Sequence, residues 1–416
     1  MVPATAAVSA PYWLAEPALP GRQVVRDETL VGRPLSPPAL SVGVELEVSG
    51  RRVLVEAPVV HAWVDPVRGE RTRAFVIVPP ATVTPTREAF MFPDGRAVPV
   101  TLTVRAGGDA LEGELRLPVP EGWSATPAAL PIRLVQRGDE TVARFVVTPG
   151  RGASACEVVP VLRVGGRDWS WREASIDHDH VPLQLVLMPS LLRLVPLELV
   201  VPAGRVGYVE GSGDTVAEDL AHVGMDVEVL DAETLRAGDL SRYEAIVVGI
   251  RAFNTREDLR AAQGRLVEWV ERGGRLLVQY NTNNRLAPLT TPVGPYPFEI
   301  GRDRVADETA VMTSTRPDDP LLATPHAIGP ADFEGWVQER GIYFASKWDE
   351  RYETLFEAAD PGEEPLRGGT LVARHGKGRF TYTGLAFFRQ LPAGVPGAYR
   401  LFANLVSGGA PAATLP

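Results

Sequence analysis

The sequence predicts a multidomain protein of β plus α/β class. An immunoglobulin-like β-sandwich region comes first, and a flavodoxin-like, mostly parallel sheet covered by helices follows. Three observations carry this reading. Up to about residue 200, short alternating runs are divided by Gly, Pro and Asp. Between 82 and 182 some seven candidate strands recur at roughly 8–15-residue spacing with period-two alternation. After about residue 203, apolar strands alternate with helical patterns in the order β-α-β-β-α-β, which implies parallel pairing.

Taken in order, residues 1–39 form a Pro-rich N-terminal segment, expected to be irregular. A small β region spans 40–81. There Val42, Val44, Leu46 and Val48 alternate with small or polar residues, and Val53 and Val55 answer them after Ser49-Gly50, which signals a hairpin. AFVIVPP gives a further strand. The sandwich, with its connecting strands, covers 82–200. Its candidate strands include VPVTLTV, LEGELRLPV, PIRLVQ, TVARFVV and EVVPVLRV, separated by turn sequences such as AGGD, PEGW and RGDE.

The α/β domain covers 203–410. RVGYVEG is a buried strand ending at Gly211-Ser212-Gly213-Asp214, and it opens a helix closed by Gly224. DVEVL and YEAIVVGI are the next strands, the latter apolar enough for burial on both faces. Over 257–272, Leu259, Ala262, Leu266 and Trp269 make one helical stripe that Gly273-Gly274 stops. RLLVQY is the fourth strand. Residues 281–368 read as an insertion or lid. TLVARHGKGRFTYTGL then gives a hairpin turning at Gly376-Lys377-Gly378, and an amphipathic helix follows from about Gly397 to Val406.

Composition narrows the function. The chain has 416 residues, 45% hydrophobic and 23% charged, which is ordinary for a globular protein. A net charge of -10 argues against a nucleic-acid partner, which would need a basic face. Only Lys347 and Lys377 are lysines, and the arginine bias runs through every segment, so it marks no one site. The single cysteine, Cys156, excludes an internal disulfide and a Cys-rich zinc site; it is expected in the sandwich core. The first ten residues are too short for a signal peptide and lack a basic segment. No run reaches 18 apolar residues, so no membrane span is expected. No cofactor or metal is expected either.

Several motifs invite chemistry. Gly211-Ser212-Gly213 lies between a strand and a helix and could cradle an anion. It lacks the full dinucleotide pattern, however, and Asp214 would repel a phosphate, so a capping role for Asp214 is favoured. His178-Asp179-His180 would need a third ligand for a metal site, and none is spaced nearby. In an amidotransferase-like domain the nucleophile sits on the turn after the central strand. That turn here is Asn281-Thr282-Asn283-Asn284, with no Cys and no flanking Gly. The glutaminase machinery is therefore missing.

A ligand-binding constellation is placed instead at the carboxyl ends of the third and fourth strands, where open α/β sheets bind ligands. Arg251 and Asn254 follow the third strand; Asn281 and Asn283 follow the fourth. The 281–368 stretch adds Trp336, Trp348 and Arg351, and Arg389 follows the closing hairpin. Amides, arginines and aromatics suit a glycan or amino-sugar ligand. They equally serve as helix caps and core.

Long stretches of the chain carry a resemblance. DLSRYEAIVVGIRAFNTREDL, GGRLLVQYNT, GPYPFEIGRDRV, ADFEGWVQERGIYFASKWDERYE and GKGRFTYTGLAFFRQLPAGVPGAYRLFANL resemble the C-terminal region of bacterial PIG-L (LmbE-like) de-N-acetylase proteins. PYWL and HAWVDPVRGERTR look like the stretch that follows their catalytic domain. LRLPVPEGWSATP and ETVARFVVTPG look like the NPCBM-associated sandwich of such proteins, and the last half resembles a class I glutamine-amidotransferase-like (ThuA-like) domain.

The family's zinc motif, of AHPDDE type, is absent. None of His61, His178, His180, His222, His326 or His375 lies in one. The resemblance therefore implies a non-catalytic accessory module whose partners are a glycan or amino sugar and a PIG-L-type catalytic domain or subunit. It also implies a periplasmic or extracellular setting. Two rivals are a sugar-active enzyme using Glu210, Asp214 and Glu350, and a purely structural domain that docks a catalytic partner.

Overall fold

A computed structural model describes residues 6–16, 19, 22–178, 180–181, 183–283, 285 and 288–410. The chain divides into two compact units. One holds residues up to 87 together with 97–193; the other holds 88–96 and everything from 194 onward. The architecture is multidomain, β plus α/β.

In the first unit, two four-stranded sheets form. One runs in the order Ala81–Pro85, Val98–Ala106, Glu140–Pro149, Trp123–Thr126; the other runs Leu130–Leu134, Leu111–Arg116, Val161–Val164, Arg167–Trp169. Period-two alternation decides which face is apolar. Val98, Val100, Leu102, Val104 and Ala106 are buried, as are Ala143, Phe145 and Val147, while the residues between them are exposed or half-buried. Leu111, Leu115, Ile132, Leu134 and Leu162 do the same for the second sheet. Cys156, expected in the core, is only partly buried at the start of the strand Cys156–Val158, and desolvation pushes its thiol up. His178 and His180 lie beyond the strand Trp171–Ile176 with their rings stacked 5.8 Å apart; Asp179 lies outside the described residues. Among the described residues no group of three or more His, Cys, Asp or Glu could hold a metal ion.

Two hairpins of this unit pair only internally: Ser41–Val48 with Arg51–Pro58, and Val60–Asp65 with Gly69–Ala74. The first turns at Ser49-Gly50, both at positive φ (51° and 75°), as a tight two-residue hairpin loop requires. Its register places Val42, Val44, Leu46, Val48, Val53, Val55 and Ala57 on one face, with Arg51 at the tip. The other face carries Glu45, Glu47, Arg52, Leu54 and Glu56. All sixteen strand residues are exposed.

The second unit is built on a seven-stranded sheet. Its strands are β1 (Arg205–Val209), β2 (Asp226–Val229), β3 (Ala245–Val248), β4 (Arg275–Gln279), β7 (Glu353–Thr354), β8 (Thr370–His375) and β9 (Gly378–Thr383). A separate two-stranded ribbon joins β5 (Phe298–Ile300) to β6 (Ala345–Trp348). The sheet order is β2-β1-β3-β4-β9-β8-β7. The first five are parallel; β8 and β7 add on antiparallel.

Helices α1 (Val216–His222) and α7 (Pro396–Ser407) cover one face of the sheet. There Tyr208, Val247 and Leu277 meet Leu220, Tyr399 and Phe402. Helices α2 (Ala232–Ala237) and α4 (Glu257–Glu271) cover the other, where Ile246, Val248 and Val278 meet the Leu259, Ala262, Leu266, Trp269 stripe. Strand β3 is buried along its whole length, the expected consequence of helices on both sides. Short helices α3 (Ala252–Thr255), α5 (Pro320–Ala323) and α6 (Phe387–Gln390) complete the unit.

The stretch 281–368 contributes to both cores: Phe333, Trp336 and Phe356 to one, Phe298, Trp348 and Tyr352 to the other. A short strand from far upstream, Ala89–Pro93, also belongs here. Met91 is fully buried, and its N–H donates to His222 Nε2 at 3.0 Å. Among the described residues no helix is long and apolar enough to cross a membrane.

Candidate functional site

Strands β1, β3 and β4 end together, and the loops that leave them are tied to one another. Gly211 follows β1 so closely under the next loop that an added Cβ would lie 2.0 Å from Ile250 O. That contact, with Ser212 N–H donating to Ile250 O at 2.9 Å, explains the glycine. Asp214 accepts hydrogen bonds from the Tyr208 hydroxyl, Val216 N and Ile250 N. Its carboxylate is thus committed to a tyrosine hydroxyl and two backbone N–H groups; the N-cap of α1 is Thr215, one residue beyond the expected Asp214. Burial and the adjacent Asp214 push the Tyr208 hydroxyl far up. Below it, Gln279 donates to Tyr208 Oη at 3.3 Å, while Gln279 Oε1 is buried with no hydrogen-bond partner among the described residues.

Arg251 follows β3 in the left-handed conformation, φ 56° and ψ 18°. A side chain there strains the backbone, and the strain persists because neighbours fix the geometry. Arg251 N–H donates to Tyr280 O (2.8 Å), and Arg251 O accepts from Asn254 N and Thr255 N. Its guanidinium is exposed and makes no hydrogen bond or ion pair among the described residues.

Asn254 and Asn281 correct the sequence expectation. Asn254 Nδ2 donates to Thr282 O at 2.7 Å and its Oδ1 accepts from Thr282 N at 2.9 Å. Asn281 Oδ1 accepts from Phe253 N, and its Nδ2 donates to Gln279 O, both at 3.0 Å. Asn281 is fully buried. These amides lock the ends of β3 and β4 together and are not offered to a ligand. Thr282, on the turn that follows β4, is held through both its N–H and its carbonyl by the Asn254 amide.

Around the end of β4 an aromatic group assembles in which the sequence leaves Tyr280 and Tyr343 unassigned. Tyr280 stacks on Tyr343 at 5.4 Å and 15°, and Phe388 packs against Tyr280 at 5.3 Å. Arg389 lies 4.8 Å over the Phe388 ring and binds Glu339 through Nε at 2.7 Å. Burial raises the Tyr280 hydroxyl; Arg251 and Arg389 pull it back down. Tyr343, like Arg251, is at positive φ (53°).

Trp336 is absent from the site. It is buried against Phe333 and Phe387, and its indole N–H donates to Asp332 O at 3.0 Å, so it is core. Arg340 and Gln390 are likewise buried and hydrogen-bonded to backbone carbonyls.

The remaining expected residues gather in a separate groove of about 550 Å³, lined by Asn283, the 289–300 run and Lys347 to Asp349. Phe298 of β5 and Trp348 of β6 are cross-strand partners and share a face. Arg351 sits beside the groove, bidentate on Asp349 (2.7 and 2.8 Å) and 3.8 Å above the Tyr296 ring. That fork holds the Asp349 carboxyl down at about 2. Asn284 lies outside the described residues. Glu210 and Glu350, the other carboxylates of the enzyme reading, are exposed.

No family model matches the sequence, and no curated protein matches it. Among solved structures, similarity is found to a cold-adapted β-galactosidase from Rahnella sp. R3, with 16% identity, 49% of this chain and 31% of that one covered, and a TM-score of 0.30. The exo-β-1,4-mannosidase Op5Man5 from Opitutaceae bacterium strain TAV5 gives 16% identity, coverages of 50% and 36%, and a TM-score of 0.30. A polyextremophilic β-galactosidase from the Antarctic haloarchaeon Halorubrum lacusprofundi gives 14%, 48%, 30% and 0.30 in the same order. The chain spans about a third of the length of these proteins, and similarity at this level assigns neither fold nor function.

Proposed function

We propose that this chain is the non-catalytic accessory region of a PIG-L-type de-N-acetylase system. It combines an immunoglobulin-like sandwich with a class I amidotransferase-like (ThuA-like) domain, and it docks the zinc-bearing catalytic domain or subunit. The observation that carries the reading is the hairpin 41–58. Val42, Val44, Leu46, Val48, Val53 and Val55 line one face and are 45–57% exposed. A lone two-stranded hairpin is marginal in water, and a continuous apolar face of this kind marks an interaction surface. Covering the exposed half of six such side chains is worth roughly 5–9 kcal/mol before the cost of association. The missing zinc motif and the Asn281-Thr282 turn, which carries no Cys and no flanking Gly, support a role without chemistry of its own.

The test is association of the purified chain with the zinc domain of a PIG-L-type de-N-acetylase encoded beside it. Val44→Glu/Val55→Glu puts two carboxylates on directly paired positions of the apolar face. Binding by the parent and its loss in the variant supports docking. No binding by the parent refutes it, as does homodimerisation of the parent that the variant abolishes.

The groove beside Trp348 supports a second role, glycan binding. It joins an aromatic wall to the amide of Asn283 and the charges of Lys347, Glu299 and Asp349. Titration with chitin oligomers should give binding that Trp348→Ala reduces at least tenfold. Equal binding by the variant would remove the groove from the reading.

A further inference from the structure

We infer that the free edge of the strand Arg51–Pro58 pairs with the same strand of a second copy of this chain, joining the hairpins of both copies into one continuous antiparallel sheet. The inference goes beyond the docking reading, since it uses the edge of the hairpin and leaves its apolar face open.

Register decides which backbone groups the hairpin satisfies internally. Val59 N–H donates to Leu40 O at 2.9 Å, one step beyond the Ser41–Pro58 pair. Hydrogen-bonded pairs alternate along an antiparallel ladder, so Val42–Ala57, Val44–Val55, Leu46–Val53 and Val48–Arg51 are the bonded pairs. Arg52, Leu54 and Glu56 therefore turn their N–H and C=O groups outward. None of these groups has a hydrogen-bond partner among the described residues, and the strand pairs on one side only. Such an edge is a template for a further strand. Proline, which would blunt it, stands only at the end of the strand, at Pro58.

The side chains along the edge select the occupant. Turned about a two-fold axis at Leu54, the strand meets its own copy with Leu54 on Leu54, Val53 on Val55 and Arg52 on Glu56. Each of these charges then faces its opposite, and each outward-turned residue faces another. Leu54 is 63% exposed and is the one large apolar side chain on a face that otherwise carries Glu45, Glu47, Arg52 and Glu56. The pairing covers it. Glu56 makes no hydrogen bond or ion pair among the described residues, and Arg52 reaches Glu45 at 3.5 Å with 78% of its own side chain exposed. The opposite edge, Ser41–Val48, carries two glutamates and no basic residue, so it lacks this self-match.

Sedimentation equilibrium of the full chain should show a dimer. Leu54→Pro should weaken it about tenfold or more, because proline there removes an outward N–H and no bond within the hairpin. Arg52→Glu and Glu56→Arg each set like charges opposite one another and should each weaken the dimer about tenfold. An equimolar mixture of those two variants restores opposite charges at both contacts and should dimerise as the parent does. Val44→Glu/Val55→Glu should remain dimeric, since both side chains stand on the face and not at the edge. A monomeric parent overturns the inference and leaves the docking reading untouched. A monomeric parent whose zinc-domain binding is lost in Leu54→Pro assigns the edge to that domain and likewise overturns the dimer. A dimer that Leu54→Pro leaves intact, or a mixture no stronger than either single variant, places the contact elsewhere and overturns the inference. Loss of the dimer in Val44→Glu/Val55→Glu means face-to-face packing and overturns the inference together with docking. Should Leu54→Pro fail to fold, the mixture still decides the matter.

Discussion

Replacing Asn254 with alanine separates a brace from a ligand contact. Its amide holds Thr282 through two hydrogen bonds, 2.7 Å to the carbonyl and 2.9 Å from the N–H. Thr282 is 9% exposed, so truncation strands both backbone groups where water reaches them poorly. Each unsatisfied group costs about 1–3 kcal/mol, which makes about 2–4 kcal/mol for the pair after partial hydration. Asn254→Asp is the sharper variant. It keeps an acceptor for Thr282 N–H but sets a charged oxygen against the Thr282 carbonyl, so it should be worse at neutral pH than below about pH 4. Native-state hydrogen exchange reads the effect locally. A loss of 2 kcal/mol speeds exchange of the Thr282 amide about 30-fold. The Phe253 amide, bound to Asn281 Oδ1, serves as the internal reference. If Asn254→Ala leaves Thr282 exchange unchanged and melts within about 0.5 kcal/mol of the parent, the bracing argument is refuted.

Two further outcomes are expected. His326 Nε2 accepts from Val200 N at 3.2 Å, and burial first, then Arg400, lower its pKa below 6.5, against weaker opposing pulls from the Val200 contact, Asp332 and Asp94. The unfolded chain therefore binds the proton first. Stability should fall as pH drops below 6.5, by up to about 1.4 kcal/mol per pH unit until the folded histidine titrates; chemical denaturation of His326→Gln should lack that segment. Gly211→Ala should destabilise the second unit by about 3 kcal/mol or more, because its methyl group meets the Ile250 carbonyl; an unchanged melting temperature would contradict this.

Regular elements of the second unit were legible because their periodicity is local. Leu259, Ala262, Leu266 and Trp269 lie on one buried stripe as their spacing requires, and Ala245–Val248 is buried on both faces as its composition implies. Positions at strand ends were legible as places but not as roles. Asn254 and Asn281 are at the expected loops, yet whether an amide meets a ligand or a backbone depends on a partner 28 residues away. The left-handed turn at Arg251 carries no Gly or Asn to announce it. Trp336 had the right chemistry for a sugar platform, and only its packing against Phe333 and Phe387 places it in the core. In the first unit, the alternation of Val42 to Val48 gave the hairpin but not the water on its apolar side, since a period-two pattern states which face is apolar and not what covers it.

The strand Ala89–Pro93 has a consequence for how the chain can be divided. It is encoded within the sequence of the first unit and completes the core of the second, so the polypeptide passes between the two units three times. No single cut yields two whole units. A fragment starting at 194 would lack Met91, leaving a hole in the α1 face and His222 without its donor. A fragment ending at 193 would carry Met91 without the core it enters. Either unit taken as one contiguous stretch of chain is therefore incomplete, and only a cut-and-join at the 88–96 segment could separate them.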